Sequence, residues 1–251
     1  MARDPYWSSV SLLLHCDGAD TSTTFTDSSA AARTATRLGV SAISTTQSKF
    51  GGASLWLNGS TNQITFADNT AFNFGAGDVT IEGWFYFSSI SGTQELFSKD
   101  AGSPGNSQLS IVKDTNHKLS ISATLDTDAT FTSSASTPAV VATTWYHIAV
   151  VRYGNVYTVY VNGTSWSTVT QAGTLKTNAG PFIVGSRGSS FQPFIGYLDD
   201  FRVTKGHARY ITGFTAPTEA FTETPIFITE NMSRPALRIK SSNRPFHHIG
   251  I

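Results

Sequence analysis

An all-β fold of two antiparallel sheets is what the sequence predicts, on three observations. The stretch VTIEGWFYF alternates strictly: Val79, Ile81, Phe85 and Phe87 fall on one face, Thr80, Glu82, Trp84 and Tyr86 on the other, the period-2 signature of a strand. WYHIAVVRYGNVYTVYVNG reads as a hairpin, with β-branched and aromatic runs flanking Gly154-Asn155 and a second turn at Asn162-Gly163, a pair that tolerates the left-handed dihedrals of tight turns. Apolar residues at helical spacing are nearly absent, so no helix longer than about two turns is expected between residues 10 and 221.

Along the chain, VSLLLHC opens the series, and alternation puts Val10, Leu12, Leu14 and Cys16 on one face. The lone cysteine reads as a small buried hydrophobe, and one cysteine excludes an internal disulfide framework. Residues 17–50 read as a long polar loop. SQLSIVK and HKLSISA are strands joined by the turn-rich DTN, and PFIVGS and FIGYLDDFRV supply two more. Short strands punctuated by Gly, Asn and Ser clusters indicate a two-sheet sandwich.

A chain of 251 residues with 39% hydrophobic residues is large enough for one β domain with its own core. Charged residues are only 14% and the formal net charge is +0, so no field attracts nucleic acid or an anionic membrane. No apolar run reaches the roughly 18 residues of a spanning helix, so membrane insertion is not expected. The start, MARDPYWSSV, lacks a basic-then-apolar leader, and synthesis without a signal peptide is expected.

Catalytic patterns are weak. Glycoside hydrolysis needs two carboxylates facing one another, yet Glu82 and Glu95 each stand alone in their strands. Asp199 and Asp200 are adjacent, so regular alternation sends them to opposite faces. The six histidines show no zinc spacing and no GxSxG elbow is present. Asn58-Gly and Asn162-Gly are turn residues before they are glycosylation acceptors. No catalytic residue is assigned.

After about Phe221 the composition changes. Residues 222–251 carry Ile226, Phe227, Ile228, Leu237, Ile239, Phe246 and Ile249, four basic residues (Arg234, Arg238, Lys240, Arg244) and three prolines. So many apolar side chains do not suit a solvated terminus. The segment is expected to be an extended arm that docks on another subunit.

Several stretches resemble the laminin G-like domains of the concanavalin A-like superfamily, above all those of tailed-phage virion proteins. SLLLHCDGADTSTTFTDSS is similar to their first strand and loop, KFGGASLWLNGS to their Gly-Gly turn and second strand, and DVTIEGWFYF to their central strand. IGYLDDFRVTKGHARYITGFTAPTEAF resembles their closing strand and exit segment. The resemblance covers about residues 10–221 and implies a jelly roll, with residues 1–9 as an N-terminal arm and 222–251 as a C-terminal one. It also implies one structural calcium ion, held by Asp199 of the closing strand with Asp17, Gly51 and Gly52 as neighbours. By alternation Asp199 shares the inward face with Tyr197, Phe201 and Val203, and a buried carboxylate needs either that cation or backbone N–H donors.

Because the superfamily's concave face often binds saccharide, aromatic platforms are of interest: Trp166, Phe191 and Tyr86, with Arg187 and Asn178 as polar partners. The function expected from the resemblance is non-catalytic, as a virion structural protein of a tailed phage. Capsid decoration and a tail-fibre or tail-spike component both fit, with other virion proteins and further copies of itself as partners. The alternative is a carbohydrate-binding module for a bacterial surface glycan.

Overall fold

The computed structural model describes residues 4–100, 102, 107–133, 138–188 and 191–224. These form an all-β jelly-roll sandwich of two antiparallel sheets. One sheet runs in the order β13 (Thr164–Thr170), β12 (Val156–Val161), β11 (Trp145–Tyr153), β6 (Val79–Phe87), β15 (Ile195–Lys205), β4 (Ser54–Asn58) and β3 (Ala42–Ser44). Its eighth strand, β1 (Val10–Leu14), lies beside the second half of β15, while β4 pairs with the first half. The other sheet has seven strands: β10 (Thr130–Thr132), β9 (Leu119–Thr124), β8 (Ser107–Lys113), β7 (Gln94–Asp100), β14 (Phe182–Val184), β5 (Gln63–Phe66) and β2 (Ala35–Leu38). Among the described residues the helical elements are two single 3-10 turns, Trp7–Ser9 and Thr70–Phe72.

Between the sheets the alternate apolar residues of each strand interlock. Phe85, Phe87, Phe97, Phe182, Phe194 and Phe201 are all at most 1% exposed and meet in edge and stacked ring contacts, such as Phe85–Phe201 at 6.4 Å and Phe97–Phe182 at 6.0 Å. Offset and edge geometries are those that ring quadrupoles favour. Asn162-Gly163 makes the expected turn: Asn162 sits at φ 49 and its side-chain Oδ1 accepts the His147 N–H.

Two bulges overturn local alternation. In β1 the register shifts between Val10 and Leu12. Leu12 and Leu14 therefore join the main core with Cys16, whereas Val10 packs outside it with Leu13 and Phe221. In β15 the register shifts between Asp199 and Arg202, with Asp200 at φ 49. An extra residue in one strand flips the facing of the residues beyond it. Phe201 and Val203 still enter the core, but Asp199 is directly opposite Trp84, two positions along from Tyr197 opposite Tyr86, on the outer face. The inward reading of Asp199 is thus corrected, although its burial is complete. So is the opposite-face reading of Asp199 and Asp200. Asp200 accepts the N–H of Phe221 in the exit segment, and Asp199 those of Lys49 and Phe50.

The stretch 17–50 is also more regular than a loop, because it contributes β2 and β3. Both are short edge strands, and β2 is mostly exposed, so neither carries a strong apolar alternation.

Residues 4–9 and 206–224 lie across part of the outer face of the eight-stranded sheet and bury Glu82, Arg202 and Asp4 there. The Asp4 N–H donates to the Thr224 carbonyl. Arg202 donates to Glu82 at 2.7 and 3.0 Å and to Asp4 at 3.1 Å, while Arg209 holds Asp4 through two bonds of 2.9 and 2.8 Å. Tyr210 donates its hydroxyl to Glu82 at 2.8 Å, and Phe221 lies 3.7 Å below the Arg202 guanidinium. Two carboxylates thus neutralise two guanidinium groups beneath the exit segment. Glu82, isolated in the sequence, is the hub of this network.

Candidate functional site: a groove on the seven-stranded sheet and a carboxylate cluster at the rim

A buried polar cluster of Gln63 on β5, Ser98 on β7 and Ser186 just after β14 lies on the outer side of the seven-stranded sheet. The Ser186 hydroxyl donates to Gln63, and the Ser98 hydroxyl donates to the Ser186 carbonyl at 3.1 Å. Above it opens a groove of about 550 Å³ lined by Leu38, Gln63, Asp100, Pro181, Ile183 and Gly188. Beside the lining residue Gly188 is a short antiparallel bridge in which Arg187 and Phe191 exchange backbone hydrogen bonds at 3.0 and 2.8 Å. The Arg187 guanidinium lies 5.0 Å from the centroid of the Phe191 ring, and its Nε is 3.6 Å from Asp100. Phe191 is 55% exposed, which for a large apolar ring at a groove edge is a free face.

Under Arg187 lies Glu95, fully buried, with neither carboxylate oxygen accepting a well-formed hydrogen bond. Burial pushes its carboxyl up to about 7; the Ser110 hydroxyl and the Arg187 charge, 4.0 Å away, offset this only in part, and Asp100 adds to it.

The structure brings Arg187 and Phe191 together but places the other aromatic candidates elsewhere. Trp166 is on β13 of the opposite sheet, packed against the core and edge-on to Tyr146 at 6.3 Å. Tyr86 is on the outer face of that sheet, in contact with Trp145 and Tyr197 at 5.5 and 5.8 Å. Asn178 flanks the groove wall, where its carbonyl and Oδ1 accept from Lys99 and Oδ1 also accepts the Gly180 N–H.

The predicted calcium neighbours do converge. Asp199 accepts two backbone N–H groups on Oδ2, at 2.6 Å from Lys49 and 3.0 Å from Phe50. Its Oδ1, fully buried, has no partner. Burial raises the Asp199 carboxyl to about 7, against the two N–H groups and with the help of Asp200 and Asp17. Gly51 adopts φ 58, and a side chain there would collide with the Asp17 carboxylate; Gly52 follows with φ 86. His15 bridges Asp200 at 2.7 Å and Glu223 at 3.1 Å. Cys16 is buried, which drives its thiol pKa well up, the opposite of what a reactive thiolate needs. Among the described residues no three His, Cys, Asp or Glu side chains converge as a metal cluster. Carbonyl oxygens would have to complete a coordination shell, which calcium accepts.

The assembly residues Ile226, Phe227, Arg234, Leu237, Arg238, Lys240, Arg244 and Phe246 lie outside the described residues.

Residues 58–208 match the model of a laminin G-like family described as the concanavalin A-like lectin/glucanases superfamily. The chain belongs to that superfamily. No curated protein matches it. Among solved structures, this concanavalin A-like chain is similar to the binding domain of Paraclostridial Mosquitocidal Protein 1 (TM-score 0.64, 17% identity, covering 82% of this chain and 50% of that one). It is also similar to domain 4 of the extracellular arabinanase AbnA of Geobacillus stearothermophilus in complex with arabinotriose (TM-score 0.60, 19% identity, 80% and 94% covered). The binding domain of Botulinum Neurotoxin DC in complex with SialylT follows with TM-score 0.58 and 12% identity, 87% and 50% covered. The chain spans about half the length of the two toxin binding domains. At these identities the likeness is one of fold. Among the described residues no helix is long and apolar enough to cross a membrane.

Sequence reasoning named Arg187, Phe191 and the Asp199 neighbourhood as candidates but did not name Gln63, Asp100 or Ile183. These come from three separate strands, and no local motif marks them.

Proposed function

We propose that this chain is a non-catalytic binding domain that recognises a saccharide in the groove of its seven-stranded sheet. The observation that carries this is the pairing of an exposed ring with planar charged groups at the groove edge: Phe191 beside Arg187 and Asp100. A ring face accepts the C–H face of a pyranose or furanose, and a guanidinium–carboxylate pair offers donors and acceptors to its hydroxyls. The arabinotriose complex of a domain with this fold supports the reading. Phe191→Ala is expected to weaken binding of the best oligosaccharide on a glycan array by tenfold or more, with unfolding unchanged. Equal retention by the variant would rule out the groove as the binding site.

Calcium at Asp199, on the eight-stranded sheet, is the second part of the proposal. Asp199 and Asp17, with carbonyls of the Gly51-Gly52 turn, would hold the ion, which supplies positive charge to these two carboxylates and fixes the 47–52 loop. Calcium at a hundredfold excess over its Kd is expected to add about 2.7 kcal/mol to unfolding, an increment absent from Asp199→Asn. A midpoint unmoved by calcium and by chelator would show that the two N–H bonds to Asp199 suffice.

A place on a tailed-phage particle is supported by the resemblance of the closing strand and exit segment to phage examples. Thr224, the last described residue, accepts the Asp4 N–H over the outer face of the eight-stranded sheet, opposite the groove. An arm that anchors the domain from that side leaves the groove open.

A further inference from the structure

The outer face of the eight-stranded sheet carries a second cavity that the saccharide groove does not explain. It is a cleft of about 780 Å³ between the 47–52 loop and the exit segment, lined by Lys49, Phe50, Trp84, Asn162, Phe214 and Thr218 among others. Trp84 is 5% exposed, and its indole Nε1–H has no acceptor. A buried donor without a partner is unusual in a folded protein. The Lys49 ammonium lies 3.9 Å from the centroid of the Trp84 ring and 5.8 Å from that of Phe50. No carboxylate forms an ion pair with it among the described residues. The Lys49 N–H is tied to Asp199, so the backbone that presents this cation is fixed.

One step up the sheet the face turns fully aromatic. Trp56, Tyr197, Tyr86 and Trp145 are directly opposite one another on β4, β15, β6 and β11. Tyr86 touches Tyr197 and Trp145 at ring separations of 5.8 and 5.5 Å. All four are only partly buried. They continue the line of Trp84 on β6 and form a row that the exit segment leaves uncovered.

From these features we infer a second site, specific for a carboxylate-bearing saccharide. The acid group meets Lys49 in the cleft, with the Trp84 indole N–H and the Asn162 amide as further donors. The neighbouring sugar rings lie along the aromatic row. A single cation in a ring-lined cleft selects an anion with an apolar body, because cation and desolvated rings favour different ends of one ligand. Hydroxyls of Thr215 and Thr218 in the cleft wall suit a polyhydroxylated ligand better than an acidic peptide.

The test uses the full chain and isothermal titration with three probes: a glucuronate-containing disaccharide, N-acetylneuraminic acid and a neutral disaccharide, with a glutamate-rich peptide as the fourth arm. At least one acidic sugar is expected to bind and the neutral sugar to bind there at least tenfold more weakly, since a charge-assisted contact is worth about one decade or more. Lys49→Met should remove that preference, Lys49→Arg should keep it, and Phe191→Ala, which empties the first groove of its ring, should leave it intact. Loss of acidic-sugar binding in Phe191→Ala with retention in Lys49→Met would overturn the second site while preserving the first. Binding of the peptide alone, or of no acidic probe, would also overturn it.

Discussion

Glu82→Gln is expected to cost about 3–5 kcal/mol of folding stability, the usual consequence of removing one partner from a buried ion network. The variant leaves Arg202 and Arg209 facing Asp4 alone, because Glu82 is their other carboxylate. All four side chains are at most 7% exposed, so water cannot easily replace the lost charge. Burial alone would raise the Glu82 carboxyl, but the charge of Arg202, the His147 contact and Arg209 outweigh it and hold the group well below the ordinary carboxylate range. A group depressed in the folded state stabilises fully above its ordinary pKa of 4.5 and less as pH falls below it. Urea unfolding should therefore show a wild-type stability that declines below about pH 4.5, and a shallower decline in the variant. A change under about 1 kcal/mol at neutral pH would mean that the network is solvated rather than sealed by the exit segment.

Glu95 is expected to give the opposite slope. Its carboxyl is raised from 4.5 to about 7, so between those values the folded state binds a proton that the unfolded chain has lost, and stability falls as pH rises. At about 1.4 kcal/mol per pH unit the gap is worth about 3 kcal/mol. Glu95→Gln mimics the protonated side chain and removes this dependence. Relative to wild type it is expected to gain about 2–3 kcal/mol between pH 4.5 and pH 8, read from denaturant midpoints at the two pH values. Parallel pH profiles for the two proteins would show that Arg187 and Ser110 satisfy an ionised Glu95. The two carboxylates sit on opposite sheets and are equally inaccessible, so the sign of each effect depends on whether a guanidinium is bonded to it or merely nearby.

The strands of the sheet centres were legible because β6, β11 and β12 alternate over six to nine residues, and a sandwich interior demands that pattern. Breaks in alternation were not legible. Asp199-Asp200 carries no glycine to announce a bulge, yet that bulge turns Asp199 from the core to the outer face and lets two neighbouring carboxylates serve the same rim. Edge strands β2 and β3 escaped because exposed residues need no periodicity. The candidate groove was half visible: Arg187 and Phe191 lie four residues apart, whereas Gln63 and Asp100 reach it only through strand pairing. The Glu82 network joins residues 120 and 198 positions apart, a distance over which single-sequence reading has no signal. The aromatic row could be read as strand residues, but its alignment across four strands is set by register alone.

Whether the groove of the seven-stranded sheet holds a saccharide is decided by amide chemical-shift mapping. On titration with the best-binding neutral oligosaccharide, shifts are expected to be confined to the groove, at Gln63, Ile183, Gly188 and Phe191, with Trp84 and Tyr86 unmoved. Shifts clustered on the opposite sheet, or none at saturating ligand, would contradict a saccharide site in the groove.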